Sequence, residues 1–184
     1  PGPGRSAAPR LRAAAGAVYY TLDGSDPRSF SNWSNNTIIV PEDMQKHALV
    51  PQDDISQIWK SAPGFNVTNW LLCLGNPGGV GYERDSGYDN YISLDIEDEM
   101  YAKNSSCYIR IPFTLSANLM DNLVTCTLRV RYDDGFIAYL NGTEVARRNF
   151  TGTPRWNSGA TSQNADQAAI LFEDIDIKQY ISKF

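Results

Sequence analysis

Aromatic rings alternate with charged and amide side chains in residues 81–91, GYERDSGYDNY. Sugars present apolar C–H faces that stack on aromatic rings, and hydroxyls that hydrogen-bond to carboxylates, amides and guanidinium groups. We therefore predict a ligand site whose members are Tyr82, Arg84, Tyr88, Asp89, Tyr91 and, from a second loop, Trp156. The alternative is that Tyr82 and Tyr91 pack against the edge of the fold and that the loop binds nothing.

Acidic side chains in the same region have the chemistry that calcium requires, since Ca²⁺ takes six to eight oxygen ligands. The candidate metal ligands are Asp85, Asp95 and Glu97. The EF-hand spacing is absent, so the indication is compositional. One structural Ca²⁺ is the only cofactor that the sequence suggests.

Residues for catalysis are poorly placed. The one histidine, His47, has no nucleophile motif beside it, so no Ser-His-Asp or Cys-His unit is apparent. We interpret His47 as a loop or surface residue. The carboxylates between Asp85 and Glu99 follow one another in an acidic run, which is typical of a solvated face rather than of a glycosidase pair. We predict that the chain is not an enzyme.

Length and composition set limits on the partners. The 184 residues suffice for one well-buried domain with a short remainder, and 42% are hydrophobic and 20% charged. The 16 basic and 21 acidic residues give a net charge of −5, which argues against nucleic acid because its binding rests on Lys and Arg. No run approaches the roughly 20 apolar residues of a membrane span, so we predict no membrane partner.

Alternating hydrophobicity indicates strands around a tight hairpin. Leu128, Val130 and Tyr132 alternate with polar residues, the period of two of a half-buried strand. The sequence YLNG at 139–142 contains Asn-Gly, the strongest short signal for a hairpin, because both central positions of a type I′ turn need a positive φ. Residues 91–96 and 108–113 alternate as well and are predicted strands.

This hairpin, with DDGF at 133–136 before YLNG, resembles the one in galactose-binding-like jelly-roll domains. Such domains are sugar-binding modules and accessory sandwiches of secreted bacterial polysaccharide-processing proteins. The resemblance covers roughly residues 45–181 and implies that Asp133 and Asp134 shape the bend into the hairpin. Further segments that carry it are Ala48-Leu49-Val50-Pro51, Trp59, Phe65, Trp70, Gly79-Val80-Gly81-Tyr82-Glu83, Tyr108-Ile109-Arg110-Ile111-Pro112-Phe113 and Trp156-Asn157-Ser158.

A second resemblance lies near the amino end. The sequence YYTLDGSDPR at 19–28 is similar to a hallmark of the chitobiase/β-hexosaminidase C-terminal domain, a fibronectin-like sandwich. An ordinary pair of Asp-Gly and Asp-Pro turns is the alternative. We interpret residues 1–37 as a linker and remnant of a preceding fibronectin-like domain, and residues 38–184 as a jelly-roll sandwich that lacks its last strand. The missing strand would leave an exposed sheet edge.

Together the resemblances imply an all-β, antiparallel jelly-roll β-sandwich and a non-catalytic accessory module of a secreted bacterial protein. The expected partners are a polysaccharide and neighbouring domains of the same polypeptide, and the expected location is secreted or at the cell surface. The alternative function is a structural spacer or protein-interaction sandwich without a glycan ligand, since one sandwich hosts many functions.

The three cysteines, Cys73, Cys107 and Cys126, leave one odd. Cys107 and Cys126 each open a predicted strand. If those strands are neighbours in a hairpin, their first residues lie about 20 Å apart at about 3.3 Å per residue, whereas a disulfide needs Cα atoms within about 7 Å. We therefore expect buried free thiols.

Overall fold

A computed structural model describes residues 17–21, 36–84 and 87–184 of the chain. Within these ranges the protein is all-β, because its strands are joined by turns and by helices of at most six residues. The strands are β1 (Ala17–Thr21), β2 (Asn36–Val40), β3 (Lys46–Leu49), β4 (Leu71–Cys73), β5 (Gly79–Gly81), β6 (Ile92–Asp95), β7 (Tyr108–Arg110), β8 (Thr127–Val130), β9 (Phe136–Leu140), β10 (Thr143–Arg148) and β11 (Glu173–Asp176). The α-helices are α1 (Glu97–Met100), α2 (Ala117–Asn122) and α3 (Asp166–Ala169), and 3₁₀ helices span Gln57–Lys60, Asp89–Tyr91 and Lys178–Lys183.

The strands form four separate sheets. The largest has the order β11-β8-β1-β2, a second has β4-β3-β7, and two pairs are β10-β9 and β5-β6. The described pairs are antiparallel except for β5 and β6, which run parallel. The sequence predicts purely antiparallel strands. The parallel pair of β5 and β6 differs from that prediction.

Strand β1 joins the amino-terminal part of the chain to the largest sheet. It pairs with β2 on one side and with β8 on the other. The sequence places this strand in a remnant of a preceding domain, but β8 and most of β2, with which it pairs, lie in the region assigned to the sandwich. The boundary at residue 37 stays a prediction, and most of the residues 1–37 lie outside the described ranges.

The hairpin of β9 and β10 forms where the sequence predicts it. Asn141 and Gly142 have φ of +46° and +85°, the positive values that a type I′ turn requires. Asp134, which precedes β9, is hydrogen-bonded to two residues that follow β10. Its carbonyl accepts from Asn149 Nδ2 at 2.8 Å and its Oδ1 accepts from the Asn164 amide at 3.0 Å.

The main core cluster lies against the sheet that contains β2, β8 and β11. Val40, Cys126 and Ile177 are its buried centre. Side chains from the carboxyl-terminal 3₁₀ helix and from the segment after β7 pack around them, among them Phe113 and Phe184, whose rings meet edge to face at 6.0 Å. The carboxyl-terminal segment is therefore part of the core rather than an appendage.

A buried lysine ties the glycine-rich turn before β5 to the turn before β3. Lys46 is 0% exposed, and its Nζ donates to the carbonyls of Glu42 and Gly78 at 2.7 and 2.6 Å. A Cβ on Gly78 would lie 2.2 Å from the Glu42 oxygen, so the glycine is required by close approach of two backbones. The Gly-rich segment before β5 therefore passes close to other backbone.

The cysteines are free thiols in the structure, with Cys73 and Cys126 buried and Cys107 half-buried. The premise that Cys107 and Cys126 open neighbouring strands of a hairpin is wrong. β7 belongs to the sheet with β3 and β4, whereas β8 lies between β1 and β11.

Candidate functional site

An open cleft of about 2030 Å³ lies along β7, β8 and β9 and is bordered by the connecting loops. Its buried lining includes the apolar side chains of Ile96, Val130 and Leu140 and the side chain of Arg131. Its more exposed lining is rich in tyrosine: Tyr82, Tyr88, Tyr91, Tyr101, Tyr108, Tyr132 and Tyr139.

Four of the six side chains predicted as sugar ligands line this cleft, namely Tyr82, Arg84, Tyr88 and Tyr91. The other two, Asp89 and Trp156, are not among its lining residues. Asp89 is exposed at the start of a 3₁₀ helix, and Trp156 is half-buried on the long loop after β10. The sequence therefore identifies much of one wall of the cleft.

Arg84 and Tyr82 converge on Tyr101, which sequence reasoning missed. The Arg84 guanidinium lies 3.9 Å from the centre of the Tyr101 ring, and its Nη1 donates to Glu97 Oε1 at 3.0 Å. The Tyr82 ring meets Tyr101 edge to face at 6.2 Å. Tyr101 is 48% exposed, so part of the ring remains open to solvent. The sequence offered one signal for Tyr101 as a site residue, namely its position directly after the acidic helix α1.

Tyr88 links the segment of residues 81–91, which we call the ligand loop after the predicted site, to the residues directly before β9. Its hydroxyl donates to Asp133 Oδ2 across 45 residues of sequence. Within the loop, Glu83 Oε2 accepts from the Gly87 amide at 2.7 Å, and Gly87 has a φ of +81°, which glycine adopts without strain. The described residues on both sides of positions 85 and 86 are therefore tied to each other and to the segment before β9.

Tyr91 packs on a buried guanidinium. Arg131 is 5% exposed and lies between the rings of Tyr91 and Phe172, at 4.3 and 4.2 Å from their centres. Its Nη2 is 3.5 Å from Glu42 Oε1, and a buried charge needs such partners. Tyr91 therefore has a packing role, and so has Tyr82, which packs on Tyr101.

Aromatic side chains occupy a second part of the cleft, around β7 and β9. Trp59 stacks on Tyr108 with ring centres 4.5 Å apart and planes inclined by 16°. Lys60 Nζ lies 4.3 Å from the centre of the Tyr139 ring. Burial raises the pKa of the Tyr108 and Tyr139 hydroxyls, so both are neutral hydrogen-bonding groups at physiological pH.

Arg110 fastens the Trp59 segment to β7. Its guanidinium donates to the carbonyls of Trp59 and Ala62, and Nη2 is 3.3 Å from the Pro63 carbonyl. Arginine suits this role because its planar group presents several donors in a fixed geometry. The segment 57–63 is thereby held over the sheet as one wall of the cleft.

Asp133 is the carboxylate whose surroundings most disfavour charge in this cleft. Desolvation raises its pKa, the hydrogen bond from Tyr88 lowers it, and the neighbouring charge of Asp134 raises it again. The net direction is upward. Asp133 is exposed, so solvent screens the interaction between the two carboxylates.

Two of the three predicted metal ligands, Asp95 and Glu97, have other partners. Asp95 Oδ1 accepts from the Glu97 amide at 2.8 Å, and the Glu97 carboxylate pairs with Arg84. Asp85 lies outside the described residues. Over residues 17–21, 36–84 and 87–184, no group of three or more His, Cys, Asp or Glu is placed to hold a metal ion. A calcium site stays a prediction.

His47 lies in β3 rather than in a loop, so that interpretation was wrong. It stands opposite Leu72 on β4 and Arg110 on β7. Lys46 and Ala48, its neighbours in sequence, are buried, and the half-buried His47 projects to the other face of the strand. Alternation around residue 47 was too short for the sequence to reveal a strand.

No protein-family model, curated protein or solved structure matches the chain. In the part of the chain that the structure describes, no helix has the length and apolar character needed to cross a membrane.

Proposed function

We propose that this chain is a non-catalytic, jelly-roll-type accessory module of a secreted bacterial protein, and that its cleft binds a polysaccharide. The observation that carries the proposal is the convergence of Tyr82, Arg84, Tyr88 and Tyr91 on one cleft. These residues were selected from the sequence for their sugar-binding chemistry alone. The all-β architecture is compatible with a sandwich of this class.

The size and lining of the cleft favour a polymer as the ligand. Its volume of about 2030 Å³ exceeds that of a typical small-molecule pocket. Tyrosines lie in two parts of the cleft, around Tyr101 and around Tyr108, so a chain of several sugar units would meet a ring in each part. Rings contribute contact area at low entropic cost, and their hydroxyls remain available for hydrogen bonds.

A structural spacer is the second candidate, and the packing of the loop aromatics favours it. Tyr82 and Tyr91 each contact a protein partner, Tyr101 and Arg131 respectively, so both have a structural role without any ligand. Both rings remain half-buried rather than fully covered. In the binding function the open ring surface contacts a sugar, whereas in the spacer function it contacts only solvent.

Affinity electrophoresis and a glycan array separate the two functions. We expect retardation by at least one plant, algal or chitin-type polysaccharide, and no release of reducing ends during prolonged incubation. Absence of binding across all three classes would favour the spacer. Activity that disappears when one carboxylate is replaced would instead establish an enzyme.

A further inference from the structure

We propose that the cleft selects uncharged polysaccharides and rejects chains that carry carboxylate or sulfate groups. This inference rests on the proposed function and specifies the ligand class of the same site. It follows from the state of the cationic side chains that line the cleft: Lys60, Arg84, Lys103, Arg110, Arg131 and Arg155.

Recognition of an acidic sugar requires an available cation. A uronate or sulfate group loses hydration on binding and regains it through charge-assisted hydrogen bonds, most effectively from a guanidinium group in bidentate geometry. A cation that already has an internal partner has fewer donors and less unbalanced charge left for a ligand. The partners of these six side chains therefore decide whether an anion is accepted.

Arg84 is the most exposed of the paired arginines and already carries two contacts. Glu97 accepts from Nη1 at 3.0 Å, and the ring of Tyr101 lies beneath the guanidinium at 3.9 Å. The side chains of Arg84 and Glu97 are 48% and 40% exposed, so this pair adds little to stability. Glu97 nevertheless offsets the charge of Arg84, the arginine that the ligand loop contributes to the cleft.

Arg110 and Arg131 are committed to the fold. The Arg110 guanidinium donates to backbone carbonyls of the segment 59–63. Arg131 is buried, pairs with Glu42, and is enclosed between Tyr91 and Phe172. Redirecting either group toward a ligand would remove donors from part-buried carbonyls or from a buried carboxylate, which is costly.

The two lysines have partners as well. Lys103 Nζ donates to the Asp98 carbonyl. Lys60 lies over the Tyr139 ring, and the charge of Glu144 acts on it. The remaining cation, Arg155, is exposed on the long loop, where water and salt screen a single charge.

Carboxylates that line the cleft add repulsion toward an anionic ligand. Asp133 and Asp134 line the cleft together with Asp166, and the neighbouring charges of Asp134 and Asp166 both contribute to the raised pKa of Asp133. A further anion placed near them would meet the same unfavourable field. Hydroxyl groups of a neutral sugar would instead donate to these oxygens.

Matched derivatives of one glycan test the selectivity. A neutral polysaccharide that binds in affinity electrophoresis is compared as its hydroxyethyl and its carboxymethyl derivatives, which add similar bulk and differ in charge. We expect the hydroxyethyl form to bind at least about tenfold more tightly than the carboxymethyl form. We also expect its Kd to change less than about twofold between 50 and 500 mM NaCl, because no ion pair forms with the ligand.

A substitution that releases a cation tests the cause. Glu97→Gln removes the carboxylate partner of Arg84, and we expect it to increase affinity for the carboxymethyl form about fivefold. Asp174→Asn is the matched control, since Asp174 pairs with Arg129 at 2.7 Å and neither residue lines the cleft. It should leave the ratio of the two affinities unchanged. Melting curves verify that both variants are folded.

The outcomes separate the inference from the proposed function. Equal or tighter binding of the carboxymethyl form, or a folded Glu97→Gln protein without any gain, overturns the inference and leaves polysaccharide binding intact. Failure of every glycan to bind removes the proposed function and the inference with it.

Discussion

The guanidinium group of Arg84 lies over the ring of Tyr101, 3.9 Å from its centre, while Glu97 holds the same group from the side at 3.0 Å. One residue of this arrangement comes from the ligand loop and two come from α1 and the residue after it. The contact orients Arg84 and covers part of Tyr101, and it thereby defines one wall of the cleft.

Replacement of Tyr101 by alanine should weaken polysaccharide binding about tenfold, which corresponds to about 1.4 kcal/mol. The ring is 48% exposed, so the melting temperature should change little. Trp156→Ala is the comparison, because Trp156 is outside the cleft lining and its loss should alter Kd less than about twofold. Titration calorimetry measures both. A larger effect of Trp156→Ala would move the site to the long loop.

Gly78→Ala should be much more destabilising than Gly75→Ala. Both glycines have nearly the same φ, +95° and +94°, so the conformational penalty of about 1–2 kcal/mol is shared. An added Cβ meets the Glu42 oxygen at 2.2 Å at position 78 and nothing within 4 Å at position 75. We expect a difference of at least about 2 kcal/mol in the free energy of unfolding, measured by urea denaturation. Equal losses would contradict the close approach.

Arg110→Lys should loosen the wall that contains Trp59. A lysine ammonium cannot reproduce the planar arrangement of donors that binds several carbonyls of this segment. We expect a loss of about 1–3 kcal/mol of stability and faster amide exchange in residues 57–63. Exchange in the β9–β10 hairpin should stay at the wild-type rate and serves as the internal control. Uniformly faster exchange would show that Arg110 supports the whole fold instead.

Cys126 should cause part of any loss of stability at high pH. Its thiol is 0% exposed, and burial, followed by the charge of Asp176, raises its pKa from 9.0 to about 12. Because the folded state keeps the proton after the unfolded state has lost it, the stabilisation is complete below pH 9 and is lost as the pH rises toward 12. The expected slope is about 1.4 kcal/mol per pH unit for this one group.

Cys126→Ala isolates that contribution. The variant should be less stable than wild type at pH 7, since it removes buried volume, but its stability should fall more slowly above pH 9. Denaturation curves at several pH values under reducing conditions measure the slope. Parallel curves for the two proteins would show that Cys126 does not titrate as described.

Local features of this fold could be predicted from the sequence because they depend on neighbouring residues. The β9–β10 turn follows from Asn141-Gly142, whose backbone preference is intrinsic to those two residues. The strand β6 and the first part of the predicted strand at 108–113 follow from alternation with a period of two. The mixture of aromatic and polar residues in 81–91 was enough to predict Tyr82, Arg84, Tyr88 and Tyr91 as candidate site residues, and all four line the cleft.

Only the tertiary structure decided which of these residues meet. Tyr101 joins the site because α1 brings it against the ligand loop, and Arg131 is buried because Tyr91 and Phe172 cover it from other parts of the chain. The placement of β1 beside β8 and the parallel pairing of β5 with β6 depend likewise on contacts between distant segments. Local pattern determines how a segment folds, but sheet order and burial arise from packing among all segments, and no short stretch of sequence encodes them.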